Sequence, residues 1–126
     1  MMSKMFVLLL MLFCHIIDDY FLQGILASMK QKDWWKKNAP QALYKYDYIV
    51  ALIMHSFSWS FLIMLPIAIY YNFDIDIVFV FVLVINCSVH AVVDNEKANE
   101  KTINLVIDQV LHLLQVVGAY IAMIIR

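Results

Sequence analysis

The sequence predicts an all-α fold, a bundle of four transmembrane helices with a His/Asp site inside the membrane, on three observations. The 126 residues are 64% hydrophobic and only 15% charged, whereas a soluble domain is about half apolar and about a quarter charged. Four windows, 5–27, 48–71, 75–94 and 103–125, each reach the roughly 17–25 mostly apolar residues that a spanning helix needs. Each window also contains one histidine: His15, His55, His90 or His112. The length suits a single integral membrane domain over residues 1–126.

The first window begins MFVLLLMLFC and carries HIIDDYFLQG in its second half. A cleaved signal peptide is the competing reading, but His15, Asp18 and Asp19 interrupt the apolar run and no A-x-A site follows. Residues 28–47 form a Lys-rich loop. The second window holds His55 and, in its far half, Pro66, where a kink is tolerable. A tight turn at 72–74 leads into the third window, whose Val, Ile and Phe content resembles strand. Its length, and the need to satisfy every backbone group in lipid, favour helix. A polar turn at 95–102 precedes the fourth window. Cys14 and Cys87 lie in different windows and are expected to be buried thiols rather than a disulfide.

Charge sets the expected orientation. Lys30, Lys32, Lys36, Lys37, Lys45, Lys97 and Lys101 fall in the first and third connections, against Lys4 and Arg126 on the other side. This bias places residues 28–47 and 95–102 in the cytoplasm and both termini outside, in the plasma (inner) membrane. Trp34 and Trp35 among these lysines are either an interfacial anchor or part of a solvated basic loop, and both attract anionic headgroups. A net charge near neutrality makes no case for nucleic acid.

The polar residues inside the windows follow helical spacing. His15 has Asp18 and Asp19 three and four residues on, His90 has Asp94 four on, and Asp108 stands four before His112. Residues three or four apart share a helix face. At 1.5 Å per residue His15, His55 and His112 lie roughly 18, 12 and 15 Å from the cytoplasmic ends of their helices, with His90 shallower. Four helices therefore place similar side chains in one layer. An Asp at the centre of a spanning helix costs about 2.5–3.5 kcal/mol, so four cost on the order of 10–14 kcal/mol at most. Lys97 can pair with one carboxylate, and no other Lys or Arg is expected deep enough for the rest. Zinc binding in small sites is worth an apparent 10–16 kcal/mol or so, which makes a divalent metal the economical neutraliser.

A lone His is more often an interhelical hydrogen-bonding partner; four His and four Asp on matching turns are better explained as ligands. His/carboxylate chemistry without paired thiolates suits Zn, Mn or Fe, as one or two ions. Bundle cores are established hosts for such sites. Gln23, Asn86, Ser56, Ser58, Gln109 and Gln115 are weaker candidates for orienting ligands. No Walker loop, G-x-S-x-G, H-E-x-x-H or dinucleotide fingerprint is present.

These blocks carry a resemblance. His15, Asp18 or Asp19, and Gln23; His55; His90, Asp94 and Lys97; and Asp108, Gln109 and His112 resemble the pattern of a family of small bacterial and phage membrane proteins classed as a domain of unknown function. That pattern is His-x-x-Asp…Gln, a central His, His-x-x-x-Asp-x-x-Lys and Asp-Gln-x-x-His. The arrangement is more loosely similar to the membrane-bound metal-dependent hydrolases, which implies a metal hydrolase without naming its substrate.

The expectation is therefore a membrane-embedded metal site open to the cytoplasmic face. His15, Asp19, His55, His90, Asp94, Asp108 and His112 would be its metal ligands, with Asp18 as orienting group or general base and Lys97 as charge stabiliser. Asp18 and Asp19 compete for the ligand role. The substrate expected is lipid-like or phosphate-bearing. A non-catalytic protein with a structural metal, such as a phage effector binding another membrane protein, is the alternative. An ion or proton transporter is disfavoured by the apolar outer halves of the helices. Four short helices also leave room for pairing with a second copy.

Overall fold

In the computed structural model, which describes residues 1–125, the first window folds as α1 (Lys4–Ile17) continued by a π-helical turn (Asp18–Leu22). Ser3 caps its start, its hydroxyl accepting from the Phe6 amide at 3.2 Å. The helix ends short of the expected residue 27. Gly24 takes φ +53°, a left-handed conformation that a residue without Cβ adopts freely, and the chain turns there. Arg126, counted above among the basic residues, lies outside the described residues.

The segment expected as a loop contains two short helices, α2 (Leu26–Met29) and α3 (Lys32–Asn38), and a 3₁₀ turn (Ala42–Tyr44). Helix α4 (Asp47–Tyr70) continues through Pro66. The third window becomes α5 (Ile77–Asn95), with Asp76 capping it by accepting from the Phe79 amide at 2.8 Å. It runs on as a π-helical turn (Glu96–Glu100), so much of the expected polar turn is helical until the chain reverses at Lys101, φ +57°. Asn104 caps α6 (Leu105–Tyr120), which also ends in a π-helical turn (Ile121–Ile125). Cys14 and Cys87 are free and half-buried.

The described chain is all-α, and four of its helical stretches are long and apolar enough to cross a membrane: Lys4–Leu22, Ala42–Tyr70, Ile77–Glu100 and Leu105–Ile125. They suggest a lipid bilayer around the bundle. Phe13, Phe57, Phe61, Phe81 and Leu114 are exposed on its outside. Such side chains face lipid at no cost, because the tails are as apolar as they are. Helix α4 is the central element, packing most extensively on α5 and α1, while α6 closes the bundle against both.

The interior has two layers. Toward the termini, Val7 and Met11 of α1 meet Ile63, Met64 and Ile67 of α4 and Val116, Ala119 and Met123 near the end of the chain. Toward the other end most buried side chains are polar, His15, Asp18, Asp19, His55, Asn86, His90, Asp94, Asp108 and His112, with Ala51, Leu52 and Val93 beside them.

Helices α2 and α3 form a strap across the polar end. Asn99, on the π-helical extension of α5, holds it. Its Nδ2 donates to the Lys30 carbonyl (3.0 Å) and to Asn95 Oδ1 (2.9 Å), and its Oδ1 accepts from the Lys32 amide (2.7 Å). Exposed pairs from Lys32 to Glu100 (2.8 Å) and Lys101 to Asp33 (3.4 Å) add to the seam. Lys36 and Lys101 hold the Asp33 carboxyl below its usual range. One hydrogen bond is worth about 1 kcal/mol, so Asn99→Ala is expected to speed amide exchange at residues 30–33 by roughly fivefold or more while leaving the spans protected. Exchange at wild-type rates there would show that Asn99 does not secure the strap.

A buried cluster of histidines and carboxylates

Four helices and one π turn supply the cluster. The wider π turn carries Asp18 and Asp19 on successive positions, both buried, aimed at different partners. Asp18 Oδ1 accepts from the Ser58 hydroxyl (2.7 Å), and its Oδ2 stands 3.8 Å from His55 Nδ1. Asp19 Oδ1 lies 3.4 Å from the opposite nitrogen, His55 Nε2. His55 is thus backed by one carboxylate and faces another.

Two groups of side chains could hold a metal ion: Asp19, His55, His90 and Asp94, and Asp19, Asp108 and His112, each with its donor atoms within 4.8 Å of one another. In the first, His55 Nε2 is 3.2 Å from His90 Nε2 and 3.4 Å from Asp94 Oδ2, and His90 Nε2 is 3.7 Å from that oxygen. Tetrahedral zinc with bonds of about 2.0–2.1 Å spaces its ligand atoms roughly 3.3–3.4 Å apart. In the second, His112 Nε2 lies 3.3 Å from Asp108 Oδ1 and 3.2 Å from Asp94 Oδ1. Asp19 belongs to both groups, and Asp94 presents one oxygen to each histidine set.

The network behind these atoms assigns the protons of His15 and His112. The Trp59 indole N–H donates to His15 Nδ1 (2.9 Å), so the His15 proton sits on Nε2 and is donated to Gln109 Oε1 (3.1 Å). The Gln109 amide then donates to Asp19 Oδ2 (2.9 Å) and Asp108 Oδ2 (3.0 Å). Gln115 donates to Asn86 O (3.0 Å) and Oδ1 (3.3 Å), leaving its Oε1 to accept from His112 Nδ1 (3.2 Å). With that proton on Nδ1, the His112 Nε2 lone pair faces two carboxylate oxygens, an arrangement that repels unless a proton or a cation lies between them. A second proton on His112 would serve one of them at a time; a metal ion serves all three atoms. Asp108 Oδ1 has no hydrogen-bond donor, which leaves it suited to a cation.

Two lysines enter the cluster. Lys97 Nζ donates to Asp108 Oδ2 (2.9 Å) on the next helix, whereas its spacing, one turn beyond Asp94, pointed to Asp94. Lys30 was expected in the loop, too shallow to reach. Instead the turn at Gly24 folds α2 back, and the buried Lys30 ammonium donates to Asp94 Oδ2 (2.6 Å) and Gln23 Oε1 (3.0 Å). Gln23 in turn donates to the Asp19 carbonyl. Four carboxylates and two ammonium groups leave two negative charges uncompensated when the histidines are neutral.

Of the residues singled out from sequence, Asp19, His55, His90, Asp94, Asp108 and His112 lie in the two groups. His15 and Asp18 lie in neither; both nitrogens of His15 are already hydrogen-bonded. Ser58, Gln109, Gln115 and Asn86 all orient members of the cluster, and Ser56 Oγ is buried without a partner. Sequence reasoning missed Trp59 as well as Lys30. Trp59 is fully buried and stacks on His90 (4.2 Å between ring centres), which stacks in turn on His112 (4.1 Å). Its position four residues after His55, on the same face, was the available signal.

Gln109 joins three members of the cluster. Replacing it with Leu leaves His15 Nε2–H and one oxygen each of Asp19 and Asp108 with fewer partners, and each stranded buried group costs about 1–3 kcal/mol. Gln109→Leu is expected to lower thermal stability in detergent clearly, whereas the exposed Gln31→Leu leaves it near wild type. Equal melting of the two variants would refute this ranking.

A family model described as "Protein of unknown function (DUF3307)" matches residues 7–126. No curated protein and no solved structure matches the chain.

Proposed function

The chain belongs to the DUF3307 family, and from that premise we propose that it is a membrane-embedded, metal-dependent hydrolase. The observation that carries the reading is the spacing of donor atoms, 3.2–3.7 Å among His55, His90 and Asp94, which suits a small divalent cation. His55, His90, Asp94 and Asp19 would hold one ion. Asp108 and His112 would hold a second, sharing Asp19. Zinc fits the first group, and the more carboxylate-rich second group fits zinc, manganese or iron. Such ions supply Lewis acidity toward a phosphoryl or carbonyl oxygen and acidify water.

The chain's own groups have distinct tasks in this reading. Asp18, whose Oδ2 stands 3.8 Å from His55 Nδ1 with no hydrogen bond formed between them, would act through His55, closing on the ring as carboxylates commonly do for metal-ligating histidines. Gln115 and Asn86 do the same for His112, and Trp59 with His15 and Gln109 holds Asp19 and Asp108 in place. Lys97 is about a third exposed, which suits it to neutralise an anionic substrate at the rim. Two divalent ions would turn the residual double negative charge into a double positive one. That favours an anionic, phosphate-bearing substrate, and a membrane location favours a lipid-like one. By the lysine bias, the strap and the 95–102 connection face the cytoplasm, with both termini outside, in the plasma (inner) membrane.

One observation favours a second reading, a structural metal in a non-catalytic membrane protein. The six donors of the two groups are at most 7% exposed, as closed structural sites are. Transport is disfavoured, because the apolar layer of Val7, Met11, Ile63 and Val116 fills the bundle beyond the cluster.

Elemental analysis of detergent-purified protein should find one or two divalent ions per chain, lost in Asp94→Asn and His55→Ala. His15→Ala should keep metal but bind it about 10–100-fold more weakly, as outer-shell changes do. Lys30→Met should bind it more tightly, since no ammonium then competes for Asp94 Oδ2. Metal far below one per chain in the wild type sinks the metal site. Metal-loaded protein should release inorganic phosphate from lipid phosphate monoesters in mixed micelles, and Asp94→Asn should not. Full metal with no hydrolysis across phosphate and acyl esters would favour the structural reading.

A further inference from the structure

A separate cavity of about 420 Å³ lies between α3 and the start of α4, outside the His/Asp cluster. Lys32, Lys36 and Lys45 line it, and no acidic side chain does among the described residues. Trp35 and Tyr44, stacked 6.3 Å apart, form one wall, and Pro40 and Tyr48 add apolar surface. The Trp35 indole is fixed by donating to the Met29 carbonyl (2.6 Å). Lys32 Nζ sits 5.2 Å above the Tyr48 ring and Lys45 Nζ 5.3 Å above that of Tyr46, so both ammonium groups are held by aromatic faces. Lys32 and Lys36 each share their charge with one exposed carboxylate, Glu100 and Asp33; Lys45 has no carboxylate partner among the described residues.

The cavity therefore combines positive charge with an aromatic wall, the combination that recognises a phosphate ester with an apolar body. Its position selects the source. Ala42, Tyr44, Lys45 and Tyr46 line it and also begin the candidate span Ala42–Tyr70, so it opens at headgroup depth, where aromatic and basic residues gather. We propose that this cavity binds the phosphate headgroup of an anionic phospholipid, with Lys36 and Lys45 contacting the phosphate and Trp35 packing on the glycerol and first acyl carbons. The proposal does not depend on the metal site or on hydrolysis.

Tryptophan quenching in lipid nanodiscs tests it, using the full chain with Trp34→Phe so that Trp35 reports; Trp59 is sealed in the bundle. Brominated phosphatidylglycerol should quench Trp35 more than brominated phosphatidylcholine at equal mole fraction. Lys36→Gln and Lys45→Gln should each cut that preference about fivefold, the ratio that about 1 kcal/mol per lysine gives. Lys37→Gln, on the same helix but outside the cavity, should leave it within about twofold. Equal quenching by the two lipids overturns the proposal. So does an equal loss in Lys37→Gln, which would indicate a diffuse basic field. Recovery of fluorescence on adding inorganic phosphate would assign the cavity to free phosphate and overturn the lipid assignment.

Discussion

Burying four carboxylates in one layer of an apolar bundle is the constraint from which the rest of this structure follows. An ionised carboxylate away from water must be paired, hydrogen-bonded or bound to a metal. Asp18, Asp19, Asp94 and Asp108 are all at most 7% exposed, and each polar device around them answers that demand. The π turn spreads Asp18 and Asp19 onto different partners. Gln109 spans two carboxylates from α6. The strap exists at its present height because Lys30 reaches down from it to Asp94. Even the aromatic stack has this purpose, since Trp59 sets the proton on His15 that orients Gln109.

The ionic layer also explains the division of the bundle into halves. In a bilayer, apolar helices gain little from meeting one another, because lipid is an equally good neighbour. The apolar layer near the termini holds by close packing of side chains such as Met11, Ile63 and Met64. The polar layer holds by interactions that lipid cannot replace. Helix α4 is central to both, contributing His55, Ser58 and Trp59 to one and Ile63, Met64 and Ile67 to the other.

Much of this was legible in the sequence. Helical spacing put His90 with Asp94 and Asp108 with His112, and counting residues along each span put His15, His55 and His112 at similar depths with His90 shallower. Both inferences use only local geometry, which a helix enforces. What escaped was produced by reversals of the chain. Lys30 follows a window read as helix to residue 27 and so falls in the loop; the left-handed turn at Gly24 brings it back over the cluster. The separate roles of Asp18 and Asp19 depend on the π turn, which shifts successive side chains in a way that ideal helical spacing does not show. His15 had the spacing of a ligand, but whether its nitrogens are free depends on Trp59, 44 residues away in the chain, and on Gln109 beyond that. Pairing across distant elements is tertiary information that periodicity does not contain.

The distribution of partners along the chain has a consequence for biosynthesis. Asp18 and Asp19 emerge first, yet the groups that satisfy them, Ser58, His55 and Gln109, are made later, the last of them about 90 residues on. A nascent chain with only its first span in the membrane carries two acids with none of these partners, and protonation or contact with the interface must tolerate them meanwhile. Lys30 follows closely but meets Asp94 only after the third span is complete. In a bilayer, insertion and assembly would therefore be separate events for this protein. The finished ionic layer would then serve as a checkpoint: a chain truncated before α6 would keep three of the four apolar spans but lack Gln109 and His112, which help to neutralise the acids they carry.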